Sequence, residues 1–143
     1  GDSNVIRVGQ ELKIPTAPLT IEVWRDARLM AIFANGLPVR LYPISVGKEG
    51  HESPLGTFHI AMHESEPVWW PEDGQPVPFG TPKNPLGTRW LGFEEQTQYG
   101  IHGNNSEKTI GSFESLGCIR MHNADVEEVY ELVPNGTQVT IRP

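Results

Sequence analysis

From Leu19 onward, apolar and polar side chains alternate with a period of two: Leu19, Ile21 and Val23 are interleaved with Thr20, Glu22 and Trp24. That period puts every second residue on one face of an extended chain, so the segment reads as a half-buried strand. The pattern returns after short turn signals. Asp26-Ala27-Arg28 separates the first run from Leu29 to Ala34, and Asn35-Gly36 separates that run from Pro38 to Val46. Asn-Gly suits a type I′ hairpin, whose two central residues both need positive φ. After the turn Ser53-Pro54-Leu55-Gly56 come Thr57 to Met62, then shorter runs at Trp90 to Phe93, Tyr99 to His102 and Thr137 to Ile141. One stretch keeps a helical period instead. Val126, Val129, Tyr130 and Val133 are spaced i, i+3, i+4, i+7, with Asn123 or Asp125 to cap the start and Pro134-Asn135-Gly136 to stop it. The prediction is a mainly β fold, a mixed sandwich or partly open barrel of about eight strands with one helix near the C-terminus.

The 143 residues suit a single folded domain. The single cysteine excludes an intrachain disulfide and a four-cysteine zinc site. No run of 18 apolar residues occurs, so no membrane-inserted helix is expected. Eleven basic against 18 acidic residues give a net charge of −7, with no block of like charges. A negative chain without a basic stripe is a poor partner for nucleic acid or an anionic membrane, and the charge reads as solubility. No signal peptide is visible in the opening Gly1-Asp2-Ser3, which says nothing about export. Residues 64–87 differ from the rest. They hold six of the prolines, three glycines and the pair Trp69-Trp70, with no usable period. The expectation is a long ordered loop with aromatic anchors, either a lid or groove wall or a structural crossover.

Chemistry concentrates around the one cysteine, in Ser115-Leu116-Gly117-Cys118-Ile119-Arg120-Met121. Sixteen residues upstream stands Tyr99-Gly100-Ile101-His102-Gly103-Asn104-Asn105. A thiol attacks carbonyl carbon poorly until a base removes its proton, and a histidine on a neighbouring strand can be that base. A third group must orient the ring, and a backbone carbonyl serves as well as a carboxylate. Backbone N–H groups near Gly117 and Cys118 can point at a developing oxyanion. On a strand, Arg120 shares the face of the sulfur, where it can lower the thiol pKa or hold a substrate carboxylate. On chemistry alone, an ordinary buried thiol remains an alternative.

The string I-H-G-N-N, followed by S-x-G-C-I-R-M-H-N-x-D, resembles the signature of the YkuD-type L,D-transpeptidases. The segments Tyr42 to Lys48, Ser53 to Phe58, Asn84 to Gly87 and Val133 to Ile141 also resemble that family. Residues 1–16 resemble the last strand of a LysM module plus a linker, which leaves 17–143 for the catalytic domain. The resemblance implies Cys118 as nucleophile, His102 as base, the Gly103 carbonyl as ring orienter, and Ser115 bonding within the site. It also implies Gly117 and Cys118 amides as the oxyanion hole, and Arg120 as holder of Cys118 or a substrate carboxylate.

The implied reaction joins two peptidoglycan stem peptides, donor and acceptor, through a thioester with loss of D-Ala. Water as acceptor would make it an L,D-carboxypeptidase, and a dead site would leave a wall-binding module. Carbapenem-type β-lactams are implied as acylating inhibitors, and the location as extracytoplasmic, at the bacterial wall or envelope. No cofactor and no metal are expected, although His51, His59 and His63 are scattered near one strand. Asn104, Trp69, Trp70, Trp90, Tyr99 and His122 are the candidates for lining the substrate groove. Core packing is the alternative for Trp90, helix capping the alternative for His122, and a solvated loop face the alternative for Glu64, Glu66, Glu72 and Asp73.

Overall fold

The computed structural model of the chain describes residues 18–72 and 74–143, and in it every alternating run forms a strand. The LysM-like segment and Asp73 lie outside the described residues. β1 (Leu19–Trp24) and β2 (Leu29–Ala34) pair antiparallel, with Ile21 opposite Ile32. Asn35 and Gly36 have φ of 55° and 76°, the I′ geometry that matches the strand twist. β3 (Leu37–Gly47) returns along β2 as far as Pro43, which faces Leu29. A proline cannot donate to the ladder, and beyond Pro43 the strand changes partner.

The remaining strands are β4 (Gly56–Ser65), β5 (Arg89–Phe93), β6 (Gly100–His102), β7 (Phe113–Ser115), β8 (Ile119–Met121) and β9 (Gln138–Arg142). Between the last two lies α1 (Asn123–Leu132). Their order is β2-β1-β9-β4-β5-β6-β8-β3, and β3 pairs back onto β2, so eight strands close a barrel. β7 lies outside the ring, parallel to β3. The closing joins are the parallel pairs β1 with β9 and β6 with β8. Closure removes the two exposed edges that an open sheet would present.

The inward positions are the alternating apolar residues read from sequence. Ile21, Val23, Met30, Ile32, Ile44, Ile60, Leu91, Ile101, Ile119, Met121 and Val139 are each at most 1% exposed. Burying one such side chain contributes roughly 1.5–3 kcal/mol, so this set dominates the stability. α1 packs on β5 and β6 through Val126 and Val129, and Tyr42 on β3 donates to Glu128 Oε1 at 2.5 Å. Neither Asn123 nor Asp125 caps this helix with its own side chain, contrary to the sequence expectation. Asn123 Oδ1 is occupied by the amides of Thr88 and Asn104, so a residue from another loop, Glu107, receives the Asn123 N–H at 3.4 Å.

Of the 64–87 segment, the first two residues end β4 and the rest is loop, which Trp70 does not anchor, being 71% exposed. Trp69 and Val77 exchange backbone hydrogen bonds of 2.9 and 2.8 Å. Buried Asn84 draws the ends together, donating to the carbonyls of Pro67 and Val77 and accepting the Leu86 N–H.

Candidate active site

The parallel pairing of β6 and β8 turns a sequence separation into a contact. Ile101 stands opposite Ile119, and His102 opposite Arg120. On the flanking strands Trp90 is opposite His102, and Ser45 is opposite Arg120. Their neighbours Leu91, Ile101, Ile119 and Ile44 point inward and are fully buried. By strand alternation, Trp90, His102, Arg120 and Ser45 therefore form one row on the outer face. Cys118, two residues before Arg120, belongs to the same face, level with Gly100.

His102 is 4% exposed. Its Nδ1 lies 2.7 Å from the Gly103 carbonyl oxygen. A carbonyl only accepts, so Nδ1 carries the proton and Nε2 keeps the lone pair. The Trp90 indole stacks against the ring, with centroids 5.8 Å apart and planes 29° apart. Trp90 is thus half-buried against the His102 ring and outside the barrel core. Burial pushes the imidazole pKa down to about 4, helped by the Arg120 charge and opposed by the carbonyls of Gly103 and Leu86.

Cys118 is half-buried, and its Sγ is 3.8 Å from the Gln98 carbonyl oxygen. Burial pushes the thiol pKa up to about 11. A hydrogen bond from the Gly100 backbone and the charge of Arg120 both favour the thiolate, but burial outweighs them. The resting site thus holds a thiol and a neutral imidazole, and Arg120 does not by itself create a thiolate. The Nε atom of Arg120 is buried without a partner.

Ser115 closes the turn before the cysteine. Its Oγ donates to the Cys118 carbonyl at 2.7 Å and accepts the Gly117 N–H at 3.1 Å. Gly117 has φ of +125°, and a Cβ there would run into the Tyr99 ring. Only glycine satisfies both conditions. The Gly117 amide is therefore already spent on Ser115, against the expectation that it lines an oxyanion hole. Of the expected pair, the Cys118 amide is the uncommitted one.

The expected groove residues divide. Trp70 is exposed at the loop, and Tyr99 packs against Gly117 beside the cysteine. Trp69 is tied into the loop by its backbone bonds to Val77. Asn104 is not available to a substrate: it is 2% exposed, its Nδ2 donates to the Met121 carbonyl and Glu107, and its Oδ1 accepts the Ser106 N–H. His122 occupies the N-cap position but makes no side-chain cap, and its Nδ1 meets Glu107 Oε1 at 2.8 Å. Sequence reasoning missed Glu107 and the role of Asn123 in tying loops together. Apart from Asn104, three residues before it, the partners of Glu107 are 15 and 16 residues away, so its role has little local signal.

Among the described residues, no three His, Cys, Asp or Glu side chains converge as metal ligands. His59 pairs with Glu95, and His63 lies between Asn135 and the Val133 carbonyl. A cavity of about 220 Å³ is lined by Phe79, Thr81, Asn104, Asn105 and Asn123, with neither Cys118 nor His102 in its lining. A larger one of about 540 Å³, lined by Arg25, Lys48, Glu52 and Phe113, contains none of the expected residues.

Comparison with known proteins bears on this arrangement. The profile of the YkuD family, described as an L,D-transpeptidase catalytic domain, matches residues 18–141. The chain is 39% identical to the YkuD protein of Bacillus licheniformis over 144 aligned positions, covering 96% of this chain and 78% of that protein. Among solved structures, an L,D-transpeptidase from Mycobacterium smegmatis superposes with a TM-score of 0.73 at 20% identity, covering 89% of this chain and 59% of that one. An L,D-transpeptidase in complex with imipenem gives 0.69 at 18% identity, covering 86% and 58%. These two likenesses concern the fold, and this chain spans under two thirds of either structure.

Proposed function

The chain belongs to the YkuD family of L,D-transpeptidase catalytic domains, and from that premise we propose that Cys118 and His102 are the nucleophile and base of a peptidoglycan acyl transfer. The observation that carries this reading is the 2.7 Å bond from His102 Nδ1–H to the Gly103 carbonyl. It leaves Nε2 as the unprotonated ring nitrogen of a residue whose strand face also carries Cys118 and Arg120.

The neutral pair sets the first step. His102 Nε2 takes the Cys118 proton as the sulfur attacks the carbonyl of the L-centre at the third residue of a donor stem peptide. The Cys118 N–H stabilises the oxyanion that forms, and Arg120 holds a substrate carboxylate or the sulfur. The tetrahedral intermediate collapses, D-Ala leaves with the proton from His102, and a thioester remains. The side-chain amine of an acceptor stem peptide then attacks the thioester and gives its proton to His102. The sulfur takes that proton back as the crosslink between two third-position residues is released. Tyr99, packed against Gly117, offers aromatic surface beside Cys118. This activity belongs outside the cytoplasm, at the cell wall. The solved relative in complex with imipenem supports acylation of Cys118 by the same class of β-lactam.

The test is product analysis with a stem tetrapeptide, with and without an acceptor amine, on wild type and Cys118→Ala. The expected result is D-Ala release with crosslinked dimer in wild type and neither product in the variant, at an unchanged circular dichroism spectrum. Hydrolysed tripeptide as the sole product would mean a carboxypeptidase, and retained crosslinking in the variant would refute the assignment of Cys118.

A further inference from the structure

We propose that Glu107 is a positioning residue: its carboxylate ends a hydrogen-bonded chain that runs through the Asn123 side chain and the Gly103–Asn104 peptide to His102 Nδ1. The inference rests on the reading of His102 as the base. It starts from a feature of the peptide unit. The Gly103 carbonyl, which accepts the His102 proton at 2.7 Å, and the Asn104 N–H belong to the same planar amide. Whatever holds that N–H sets where the carbonyl points.

Asn123 Oδ1 holds it, at 3.1 Å. The same oxygen accepts the Thr88 N–H at 3.2 Å, and Asn123 Nδ2 donates to the Asn104 carbonyl at 3.1 Å. With two backbone donors on one atom and a carbonyl on the other, the orientation of the amide is fixed by its partners. A Cβ on Gly103 would collide with this oxygen, so the approach needs glycine there. Asn123 Nδ2 also donates to Glu107 Oε2 at 3.0 Å.

Every donor in the chain points toward the carboxylate. His102 donates to the Gly103 carbonyl, the Asn104 amide of that unit donates to Asn123, and Asn123 donates to Glu107. In such an arrangement each bond polarises the next, by roughly 10–30% per bond. A negative charge on Glu107 makes Asn123 Oδ1, and in turn the Gly103 oxygen, better acceptors. The imidazolium formed when His102 takes a proton is then stabilised, although no carboxylate touches the ring.

Glu107 is suited to carry that charge. Its Oε1 also accepts Asn104 Nδ2 at 3.0 Å and faces His122 Nδ1 at 2.8 Å. Burial works against the charge, but hydrogen bonds from Asn104, His122 and Asn123 hold the carboxyl below the usual carboxylate range. The backbone N–H at the start of α1 adds a fourth donor.

The experiment measures Cys118 acylation by imipenem with wild type, Glu107→Gln and Asn123→Ser, each as the full chain. Glu95→Gln, which touches only the surface pair with His59, is the control. Glu107→Gln keeps the shape and removes the charge. We expect the maximal acylation rate to fall roughly three- to tenfold, with the half-saturating imipenem concentration unchanged. The His102 Nδ1–H proton resonance is expected to move upfield. The double variant Glu107→Gln/Asn123→Ser is expected to be no slower than Asn123→Ser, because the two act in one chain. A wild-type rate and resonance in Glu107→Gln overturns the proposal, and so does an additive double variant. If Glu107→Gln does not fold, an unmoved His102 resonance in Asn123→Ser overturns it instead. A wild-type protein that imipenem does not acylate overturns the assignment of Cys118, while the resonance still tests the chain from Glu107.

Discussion

Replacing His102 with glutamine tests the neutral-pair reading most directly. With the thiol at about 11, pH 7 lies some four pH units below it. Roughly one thiol in 10⁴ is then ionised at rest, a cost of about 5 kcal/mol to form the thiolate unaided. A neutral His102 with its pKa near 4 is available as base throughout the neutral range. Wild type should therefore acylate with imipenem at a rate that rises around pH 4 and is flat from about pH 5.5 to 8.5. Glutamine accepts no proton, so the variant reacts only through its thiolate fraction. Its rate should climb about tenfold per pH unit from 6 to 9, and at pH 7 fall roughly 10²–10⁴-fold below wild type. Stopped-flow loss of imipenem absorbance gives the rates, and intact-protein mass counts the adducts. A flat profile in the variant would refute His102 as base. Iodoacetamide alkylation of wild type with a midpoint between pH 6 and 7 would refute the neutral pair, because it would reveal a thiolate already formed at rest.

Two further outcomes follow from the same geometry. Gly117→Ala puts a methyl group into the Tyr99 ring at a φ of +125°. It should destabilise the fold by about 2–4 kcal/mol and abolish acylation, read as a lowered urea midpoint together with loss of adduct; a wild-type midpoint would contradict the packing described. Burial of neutral His102 also ties stability to pH. Its pKa is lowered from 6.5 to about 4, so the unfolded chain binds the proton first. The contribution is fully present above about pH 6.5 and is lost as the pH falls toward 4, to a limit of about 3 kcal/mol. Urea unfolding at pH 7 and 4.5 should show wild type losing more stability than His102→Gln, and an equal loss in both would count against it.

Much of the fold was legible because its signals are local. Alternation in Leu19 to Trp24 and Leu29 to Ala34 marks strands whatever they pair with, and Asn35-Gly36 marks the hairpin that joins the second of them to β3. The helix was legible for the same reason, from Val126, Val129 and Val133 on one face. β7 and β8, each three residues long, were not picked out. Barrel closure was not legible either. It depends on β1 lying beside β9, where Arg142 reaches Glu22 across 120 residues of sequence. At the site, Cys118, His102 and Gly103 were readable from residue types and a spacing that resembles a known family. Asn104 was misread as a groove residue, and the capping alternative for His122 failed because its ring turns to Glu107. Their polar atoms suit a ligand equally well until Met121, Ser106 and Glu107 are brought beside them.

By itself, the sequence determined the strand pattern, the hairpin turn and the helix, and it singled out one cysteine and one histidine by chemical type. Each of these follows from side-chain period, backbone preference or chemical type, which are properties of neighbouring residues. Tertiary structure decided the rest. It closed the ring, spent the Gly117 amide on Ser115, and linked Glu107 to His102 through Asn123. It also left the thiol and imidazole neutral, against the pull that Arg120 exerts on the sulfur. Burial sets those protonation states, and burial depends on what distant segments pack against a group.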